Sequence, residues 1–508
     1  MSKYIVSYNI IEKLPKLAWL ADIDVAMHTV KVYAGPNVEC HETFFVSGVW
    51  DGNFMDAGFD SSSVFYGTGA KIGDNSISFF TPSHALERII LNQDKDRIIV
   101  SNSVPFIMAF AEVDLDYSID QYEKIFCSIL KGPTKLRRFI PMDGGKELQQ
   151  FIVGCVTIDE SGNISYRRRD KVADFVNFDD YYGRMMTAMR AVYANASSSD
   201  RVNTKFGLCT TISSGYDSTA NAAVARQLGC NTALGLSGGI FDEDDGTKVA
   251  LELGYTEIIR RDHLLYRDKS GCIDAEYISS GEISKHQQFS VFEDVFADRI
   301  VFMGTRGDYF WGLNSVANND FEMIGFFYNE TDISFTENAL KNGYILLPLA
   351  TYGTTASVSI QAISHSDEMK PWRLNTEYDR PIPRRIAESV GASRESFGHK
   401  KRGGGFSFCY DTIKTLKRKM SVEGYKSFTE FRKLHKPINT FRKYCNAVRF
   451  WIAFSPSYMN RLARNLRINI SIKQKVLNVV NPFIASELLF WAIHYMKDKY
   501  RDSFKDVK

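Results

Sequence analysis

Residues 213–218, Ser-Ser-Gly-Tyr-Asp-Ser, bring small residues, hydroxyl groups and one carboxylate into a single turn. An apolar run over residues 206–212 precedes this turn and an Ala- and Val-rich run over residues 220–228 follows it, which predicts a buried strand leading into a helix. Backbone N–H groups at such a turn point outward and the helix dipole adds to them, so the segment predicts an anion site. Asp217 adds a hard oxygen ligand for a phosphate-bound Mg²⁺. The alternative is an ordinary tight turn capped by Ser and Asp.

A second turn offers another carboxylate. Residues 299–303 predict an apolar strand, and residues 304–312, Gly-Thr-Arg-Gly-Asp-Tyr-Phe-Trp-Gly, follow it. By itself, Asp308 is typical of a turn-forming residue. In open α/β sheets, however, ligands bind beyond the carboxyl ends of the strands. Together with Asp217, Asp308 therefore predicts two loops that hold one Mg²⁺ on a triphosphate.

A third segment supplies positive charge. Residues 396–406 carry His399, Lys400, Lys401 and Arg402 beside several glycines. Cations on a mobile loop can neutralise the charge that develops on a departing pyrophosphate. The alternative is a solvated charge run, which is the commoner meaning of such a segment.

Three regions along the chain must position these segments. Up to about residue 180, short β-like runs alternate with Gly, Asn and Asp turns and predict a β-rich domain. Examples of these runs are residues 4–11, 43–48, 76–80, 97–101 and 150–158. A helix over residues 181–196 and a polar linker over residues 197–200 follow. Strands then alternate with helices and predict βαβ units with a parallel sheet. These strands cover residues 205–213, 232–236, 256–260 and 299–303, and the helices between them cover 220–228 and 247–253. Beyond residue 406 the pattern is helical and basic, ending in a short helix over residues 487–499.

Composition indicates a globular protein of two or three domains. The chain has 508 residues and a formal net charge of +2, which argues against wholesale nucleic-acid binding. The N-terminal residues show no charged leader followed by an apolar core, and no apolar stretch is long enough to span a bilayer, so we expect a cytoplasmic protein. The eight cysteines include no C-x-x-C pair, which favours free thiols over a zinc site or disulfides.

The three motifs resemble those of the asparagine synthetase-like family within the ATP pyrophosphatase superfamily, whose relatives include β-lactam synthetases and lasso-peptide cyclases. Residues 213–218 are similar to the S-G-G-x-D-S pyrophosphate loop of that superfamily, and residues 304–312 are similar to the segment G-E-G-A-D-E-x-F-G. Residues 400–406 resemble the late lysine loop of the family. All three occur in the family's order and at roughly its spacing.

The resemblance implies a fold and a division of the chain. The expected fold class is α/β, with an Ntn amidotransferase-like β-rich domain over residues 1–197. A parallel-sheet ATP pyrophosphatase domain would cover residues 198–410, and residues 411–508 would form its helical, basic extension.

The resemblance also implies an ATP- and Mg²⁺-dependent ligase. A carboxylate would attack the α-phosphate of ATP, and ammonia or an amine would then displace AMP from the acyl-adenylate. Loop residues would hold the pyrophosphate: Ser213, Ser214, Gly215 and Ser218. Two backbones at strand ends would approach the nucleotide, at Thr211 and Gly304. Asp217 and Asp308 would ligate Mg²⁺, and Lys400 or Lys401 would stabilise charge in both steps.

Several departures limit what the resemblance implies. Glutamine-using relatives expose an N-terminal Cys, but position 2 here is Ser and the first cysteine is Cys40. We therefore expect a β-rich domain without glutaminase activity, although Ser2 as an N-terminal nucleophile stays open. Thr305 stands where relatives have a residue tied to amine activation, and threonine is no base near neutral pH. Arg306 replaces a Gly and is either a contact for phosphate or carboxylate or an exposed surface residue. Ser214 in place of Gly is a mild change.

The C-terminal region is locally basic between residues 414 and 475, with aromatic residues in between. One interpretation is a face for an anionic substrate or a membrane surface. The favoured interpretation is a set of amphipathic helices packed on the core with solvated Lys and Arg.

Two other functions remain open from the sequence. Thr305 and the missing N-terminal Cys would also suit a catalytically inactive homologue kept as a binding or scaffold protein. Activation of the α-phosphate for sulfur transfer is a further alternative, and the lack of paired cysteines counts against it.

Overall fold

The computed structural model describes residues 4–119, 122–126, 128–129, 132–283, 286–313, 332–402, 408, 411, 413–435 and 482–505. Some positions considered above lie outside these residues. They are Ser2, residues 403–406 of the lysine loop, and the basic and aromatic residues between 436 and 481.

The predicted β-rich region contains two sheets of seven and six strands. The seven-stranded sheet has the order β1-β3-β2-β9-β8-β11-β10, and the six-stranded sheet has the order β13-β12-β7-β6-β5-β4. β1 pairs with β3 in parallel and the other neighbours are antiparallel. The strands are β1 Ile5–Ile10, β2 Trp19–Asp24, β3 Thr29–Ala34, β4 Glu39–Cys40, β5 Phe44–Trp50, β6 Phe65–Ile72, β7 Ser76–Phe80, β8 Ile89–Asp94, β9 Arg97–Ser101, β10 Phe139–Pro141, β11 Glu147–Phe151, β12 Gly154–Asp159 and β13 Ile164–Arg168.

The two sheets pack face to face because alternate residues along their strands are apolar and point inward. Trp19 lies at the centre of this core, edge-on to Phe45 at 5.1 Å and stacked on Phe79 at 5.9 Å. Helix α1, Val104–Ala111, covers the outer face of the seven-stranded sheet, and helix α3, Phe178–Ala196, packs on the six-stranded sheet. The short helix α2, Glu123–Phe126, lies between them in the chain. The region therefore has two sheets between two helical layers.

The second region is a five-stranded parallel sheet with helices on both faces. Its strand order is β16-β15-β14-β17-β18, with strands β14 Gly207–Thr211, β15 Thr232–Ser237, β16 Glu257–Asp262, β17 Arg299–Phe302 and β18 Ile345–Leu347. β15 and β17 are almost wholly buried, as expected for strands covered on both faces. The helices are α4 Tyr216–Gln227, α5 Thr247–Glu252, α6 Ile273–Ile278, α7 Glu293–Phe296, α8 Gly307–Phe310, α9 Thr336–Asn342, α10 Ser357–His365 and α11 Pro381–Glu388. These observations confirm the predicted β-rich region followed by a parallel sheet.

Three helices lie at the C-terminal end of the described chain: α12 Ile413–Lys419, α13 Val422–Leu434 and α14 Pro482–Phe504. On α12 and α13 the charged residues Lys417, Arg418 and Lys433 are exposed, while Leu416 and Phe428 are fully buried, as in amphipathic helices packed on a core. α14 packs against α13 and α6 and also against α1 of the β-rich region. Within the described residues, no helix combines the length and apolar content needed to cross a bilayer.

Several element boundaries differ from the sequence-based predictions, and three of the differences have a clear cause or consequence. The predicted strand at residues 150–158 is divided between β11 and β12, because Val153 adopts a left-handed conformation with φ of 49°. α4 begins at Tyr216 rather than residue 220, so Asp217 and Ser218 lie in its first turn. The final helix runs beyond the predicted residues 487–499 at both ends, because its buried residues continue to Phe504.

The cysteines that the structure describes are all free: Cys40, Cys155, Cys209, Cys230 and Cys272. Burial raises the pKa of the Cys40 thiol to about 12, with the nearby Glu39 carboxylate acting in the same direction. Cys40 therefore stays a neutral thiol near pH 7 and is unsuited to nucleophilic catalysis.

A buried carboxyl group joins the β-rich region, the parallel-sheet region and the last helix. Glu337 of α9 accepts hydrogen bonds from the Ser103 hydroxyl (2.8 Å), at the start of α1, and from the Tyr500 hydroxyl (2.7 Å) of α14. Burial raises the pKa of Glu337 to about 7 from an ordinary value of 4.5, although both hydroxyl groups act in the opposite direction. The folded protein therefore holds a proton on Glu337 at pH values where the unfolded chain has released it.

We expect the Glu337 carboxyl group to make stability fall as pH rises from about 4.5 to 7, since the unfolded state then binds fewer protons than the folded state. In Glu337→Gln this contribution should vanish. The unfolding free energies at about pH 5 and pH 7.5 should then differ by up to ~3 kcal/mol less than they do in the parent protein. Urea unfolding at both pH values measures it. Glu377→Gln, at an exposed position, is the control. An unchanged pH dependence in Glu337→Gln would contradict the assignment.

Candidate active site

The two predicted loops follow adjacent strands of the parallel sheet. β14 pairs with β17 in register from Gly207 opposite Arg299 to Thr210 opposite Phe302. The chain adds β15 and β16 on one side of β14 and then returns to add β17 and β18 on the other. Both loops therefore leave the carboxyl ends of the strands at the point where the strand order reverses, which is where open α/β sheets form a ligand crevice.

The first loop is stabilised by its own hydroxyl groups. The hydroxyls of Ser213 and Ser218 lie 2.8 Å apart, and the backbone N–H of Gly215 donates to the Ser213 hydroxyl at 3.1 Å. The backbone N–H groups of Asp217 and Ser218, in the first turn of α4, have no hydrogen-bond acceptor among the described residues. Free N–H groups at a helix start are the feature that attracts anions.

Asp244 fixes the outer side of the same loop. Its carboxylate accepts from the Ser214 hydroxyl at 2.6 Å and from the Ser214 backbone N–H at 3.1 Å. Burial raises the pKa of Asp244, while the two bonds from Ser214 act against that rise. Ser214 is therefore held in one orientation, which explains why a serine serves at this position.

The second loop lies directly against the first, and two glycines allow this approach. A Cβ atom on Gly304 would come closer than 3.0 Å to the backbone nitrogen and Cα of Ser218. A Cβ atom on Gly307 would collide with the Asp217 carboxylate. The backbone N–H of Gly304 also points to the Thr211 hydroxyl, 3.4 Å away at the end of β14. Both loops thus share one surface.

Arg306 has an unusual backbone conformation within the second loop. Its φ of 70° is in the left-handed region that favours glycine, and Arg306 is only 6% exposed to solvent. The guanidinium lies 5.8 Å from the centre of the Tyr309 ring. Arg306 is therefore a buried residue and not a surface arginine. A non-glycine residue held in this conformation is typical of functional loops.

A buried arginine links the two candidate metal-binding carboxylates. The guanidinium of Arg380 donates to Asp217 Oδ1 through one nitrogen and pairs with Asp308 Oδ1 through the other. The Arg380 side chain is 5% exposed, compared with 13% for Asp217 and 41% for Asp308. The other oxygen of Asp308 accepts from Lys401 Nζ at 2.5 Å. Two carboxylates and two cations thus form one cluster.

The start of the lysine loop is anchored beside the first loop. The backbone N–H of Gly398 donates to the Ser214 carbonyl at 2.8 Å. Below it, the fully buried Arg384 donates to the Tyr216 hydroxyl at 2.9 Å and to the Phe397 carbonyl at 3.2 Å. These contacts bring Lys401 to Asp308, whereas the neighbouring Lys400 forms no ion pair with the described residues. Arg402 pairs with Glu243 at 2.6 Å.

The carboxylates fit one kind of metal site. Within the described part of the chain, no three His, Cys, Asp or Glu side chains cluster as a complete metal site. Mg²⁺ in phosphate-transfer sites is commonly held by one or two carboxylates together with the phosphate oxygens. Asp217 and Asp308 match that donor set, so they fit Mg²⁺ that arrives with a triphosphate.

Sequence reasoning missed Arg380, Arg384 and Asp244. The pair Arg380-Pro381 does carry a local signal, because Pro favours the first position of a helix and α11 begins there. That signal predicts where the helix begins, but it does not predict which loops the start of the helix contacts. Asp244 lies in an acidic turn whose side chains are all plausible caps, so only the folded structure distinguishes it.

We expect Gly304→Ala to destabilise the protein, because the new methyl group has no space beside the backbone of Ser218. The cost should be about 1–3 kcal/mol, as for other overpacked positions. Urea unfolding measures this change. The matched control is Gly183→Ala in α3, where a Cβ atom meets nothing within 4 Å; this variant should gain about 0.5–1 kcal/mol. Equal stability of Gly304→Ala and the parent protein would show that the loops are not in direct contact.

The chain matches no protein-family model, and no curated protein matches it at a significant level of similarity. Any function assigned to this site rests on its geometry and on the motifs of the sequence.

Proposed function

We propose that the protein is an ATP- and Mg²⁺-dependent ligase that activates a carboxylate as an acyl-adenylate and then forms an amide with ammonia or an amine. One observation carries this proposal: Asp217 and Asp308 come from loops on adjacent strands and meet beside Arg380 and Lys401. Hard oxygen ligands next to cations and free helix N–H groups suit a metal-bound triphosphate.

The fold also supports the proposal. A strand order that reverses beside β14 creates the crevice in which α/β proteins bind nucleotides. The two sheets between helical layers are compatible with an amidotransferase-like region, and the parallel sheet with helices on both faces is compatible with an ATP pyrophosphatase region. One fold can host many unrelated functions, so the proposal depends on the residues of the site.

In the proposed reaction, a carboxylate oxygen of the substrate attacks the α-phosphorus of ATP, and the bond to pyrophosphate breaks. The N–H groups and hydroxyls around Ser213 and Ser218 would bind the pyrophosphate oxygens. Asp217 and Asp308 would hold Mg²⁺, which would supply positive charge to the phosphate oxygens. Lys401 contacts Asp308 while Lys400 does not, so Lys401 is the better candidate for stabilising the leaving group.

In the second step the amine nitrogen attacks the acyl carbon, AMP leaves with the electrons of the broken C–O bond, and the nitrogen loses a proton. Thr305 follows Gly304 at the end of β17, and its hydroxyl cannot accept that proton near neutral pH. We therefore propose that the amine arrives unprotonated, because only then is its lone pair available for attack, and that another group, such as the departing AMP, takes the proton that the nitrogen loses after the attack.

We expect Asp217→Asn and Asp308→Asn each to lower acid-dependent pyrophosphate release by at least about 100-fold, because each removes a charged ligand from the triphosphate site. The assay supplies ATP, Mg²⁺ and a panel of amino acids, dicarboxylic acids and short peptides, with hydroxylamine to trap acyl-adenylates as hydroxamates. Asp294→Asn is the matched control, since Asp294 pairs with Arg261 on β16, the edge strand of the sheet, and not with Arg380 or Lys401.

Full activity in both variants would rule out the assigned site. A parent protein that binds Mg·ATP but traps no hydroxamate with any acid would instead support the inactive binding protein.

A further inference from the structure

The four charges of the site are balanced before any nucleotide is considered. Asp217 and Asp308 carry two negative charges, and Arg380 and Lys401 carry two positive charges. Three carboxylate oxygens are engaged by these cations: Asp217 Oδ1 and Asp308 Oδ1 by Arg380, and Asp308 Oδ2 by Lys401. Three of the four oxygens that a metal could use are therefore already paired with a cation, and only Asp217 Oδ2 lies outside these contacts.

We propose that Arg380 and Lys401 hold these carboxylates until a triphosphate arrives, so that Mg²⁺ enters the site only together with phosphate. This inference rests on the proposed function and adds when Arg380 and Lys401 exchange their carboxylate partners for phosphate. In the proposed exchange, both cations move from carboxylate to phosphate oxygens as the metal takes their place.

Charge balance gives the physical reason. A divalent metal entering alone would lie beside Arg380, which is 5% exposed and cannot be screened well by water. A triphosphate carries more negative charge than one Mg²⁺ neutralises, so the complex brings partners for both displaced cations. Arginine and lysine bind phosphate at least as well as carboxylate.

The surrounding structure keeps Arg380 close to the two carboxylates and also to the start of α4, where phosphate would bind. The guanidinium lies 5.0 Å from the centre of the Tyr378 ring, and the Tyr378 hydroxyl lies 3.5 Å from the backbone nitrogen of Tyr216. Arg380 thus sits against the start of α4, where the phosphate-binding N–H groups lie. Lys401, with a side chain 56% exposed, can swing without unfolding its surroundings.

The test measures binding alone, with no carboxylic acid present. Mn²⁺ replaces Mg²⁺ as the probe, and electron paramagnetic resonance reports bound metal without nucleotide. Calorimetry reports the binding of Mg·pyrophosphate. In the parent protein, Mn²⁺ alone should bind weakly and Mg·pyrophosphate should bind well.

Arg380→Gln frees one oxygen on each carboxylate, so Mn²⁺ alone should bind about tenfold or more tightly than to the parent protein, while Mg·pyrophosphate should bind about tenfold more weakly. Lys401→Gln, at an exposed position, should shift both affinities in the same directions and remains informative where Arg380→Gln fails to fold. The control is Arg385→Gln on α11, the helix that Arg380 precedes, since Arg385 pairs with Glu368 and Asp179 instead; both affinities should stay unchanged.

Tight binding of Mn²⁺ to the parent protein without phosphate would overturn the inference, as would unchanged Mn²⁺ affinity in folded Arg380→Gln and Lys401→Gln. Failure of Mg·pyrophosphate to bind the parent protein would also overturn it. A different result would contradict the proposed ligase activity alone: the exchange of partners occurs as described, but no acid yields a trapped hydroxamate.

Discussion

The parallel pairing of β14 with β17 is the constraint on which the site depends. It brings two loops that are about 90 residues apart in the chain to one edge of the sheet, and the missing side chains of Gly304 and Gly307 allow them to touch. Two carboxylates brought this close repel one another unless cations lie between them. Arg380 and Lys401 supply those cations, so the packing of the sheet and the charges of the site are inseparable.

Groups outside the charged cluster hold the segments that form it in place. Arg384 is fully buried and connects α11 with Tyr216 and Phe397, so the helix that Arg380 precedes and the loop that carries Lys401 are held to the start of α4. Asp244 accepts hydrogen bonds from the Ser214 N–H and hydroxyl, and Gly398 donates one to the Ser214 carbonyl. Further away, Glu337 joins α1, α9 and α14 through buried hydroxyl groups. Buried charged and polar groups with partners on separate segments fix the relative positions of those segments, because leaving any one unpaired is costly.

Much of this could be predicted from local patterns. The strands of the parallel sheet and the helices between them follow apolar runs and turn residues, and most boundaries agree within a few residues. The predictions failed where a backbone conformation or a distant contact decides the outcome. Val153 breaks an apparently continuous strand by adopting a positive φ, which a β-branched residue rarely does. Arg306 looked equally suited to the surface or the site, and the folded structure buries it with a positive φ.

The sequence by itself determined the two loops, their carboxylates and the cationic segment, because small residues, Asp and Lys at turn positions are local signals. It also determined that both loops follow buried strands, since runs of apolar residues mark such strands. Only the tertiary structure decided that Lys401 rather than Lys400 meets Asp308, and that Arg380 lies between Asp217 and Asp308. The reason is that each of these contacts joins residues far apart in the chain, and their meeting depends on how the helices pack against the sheet.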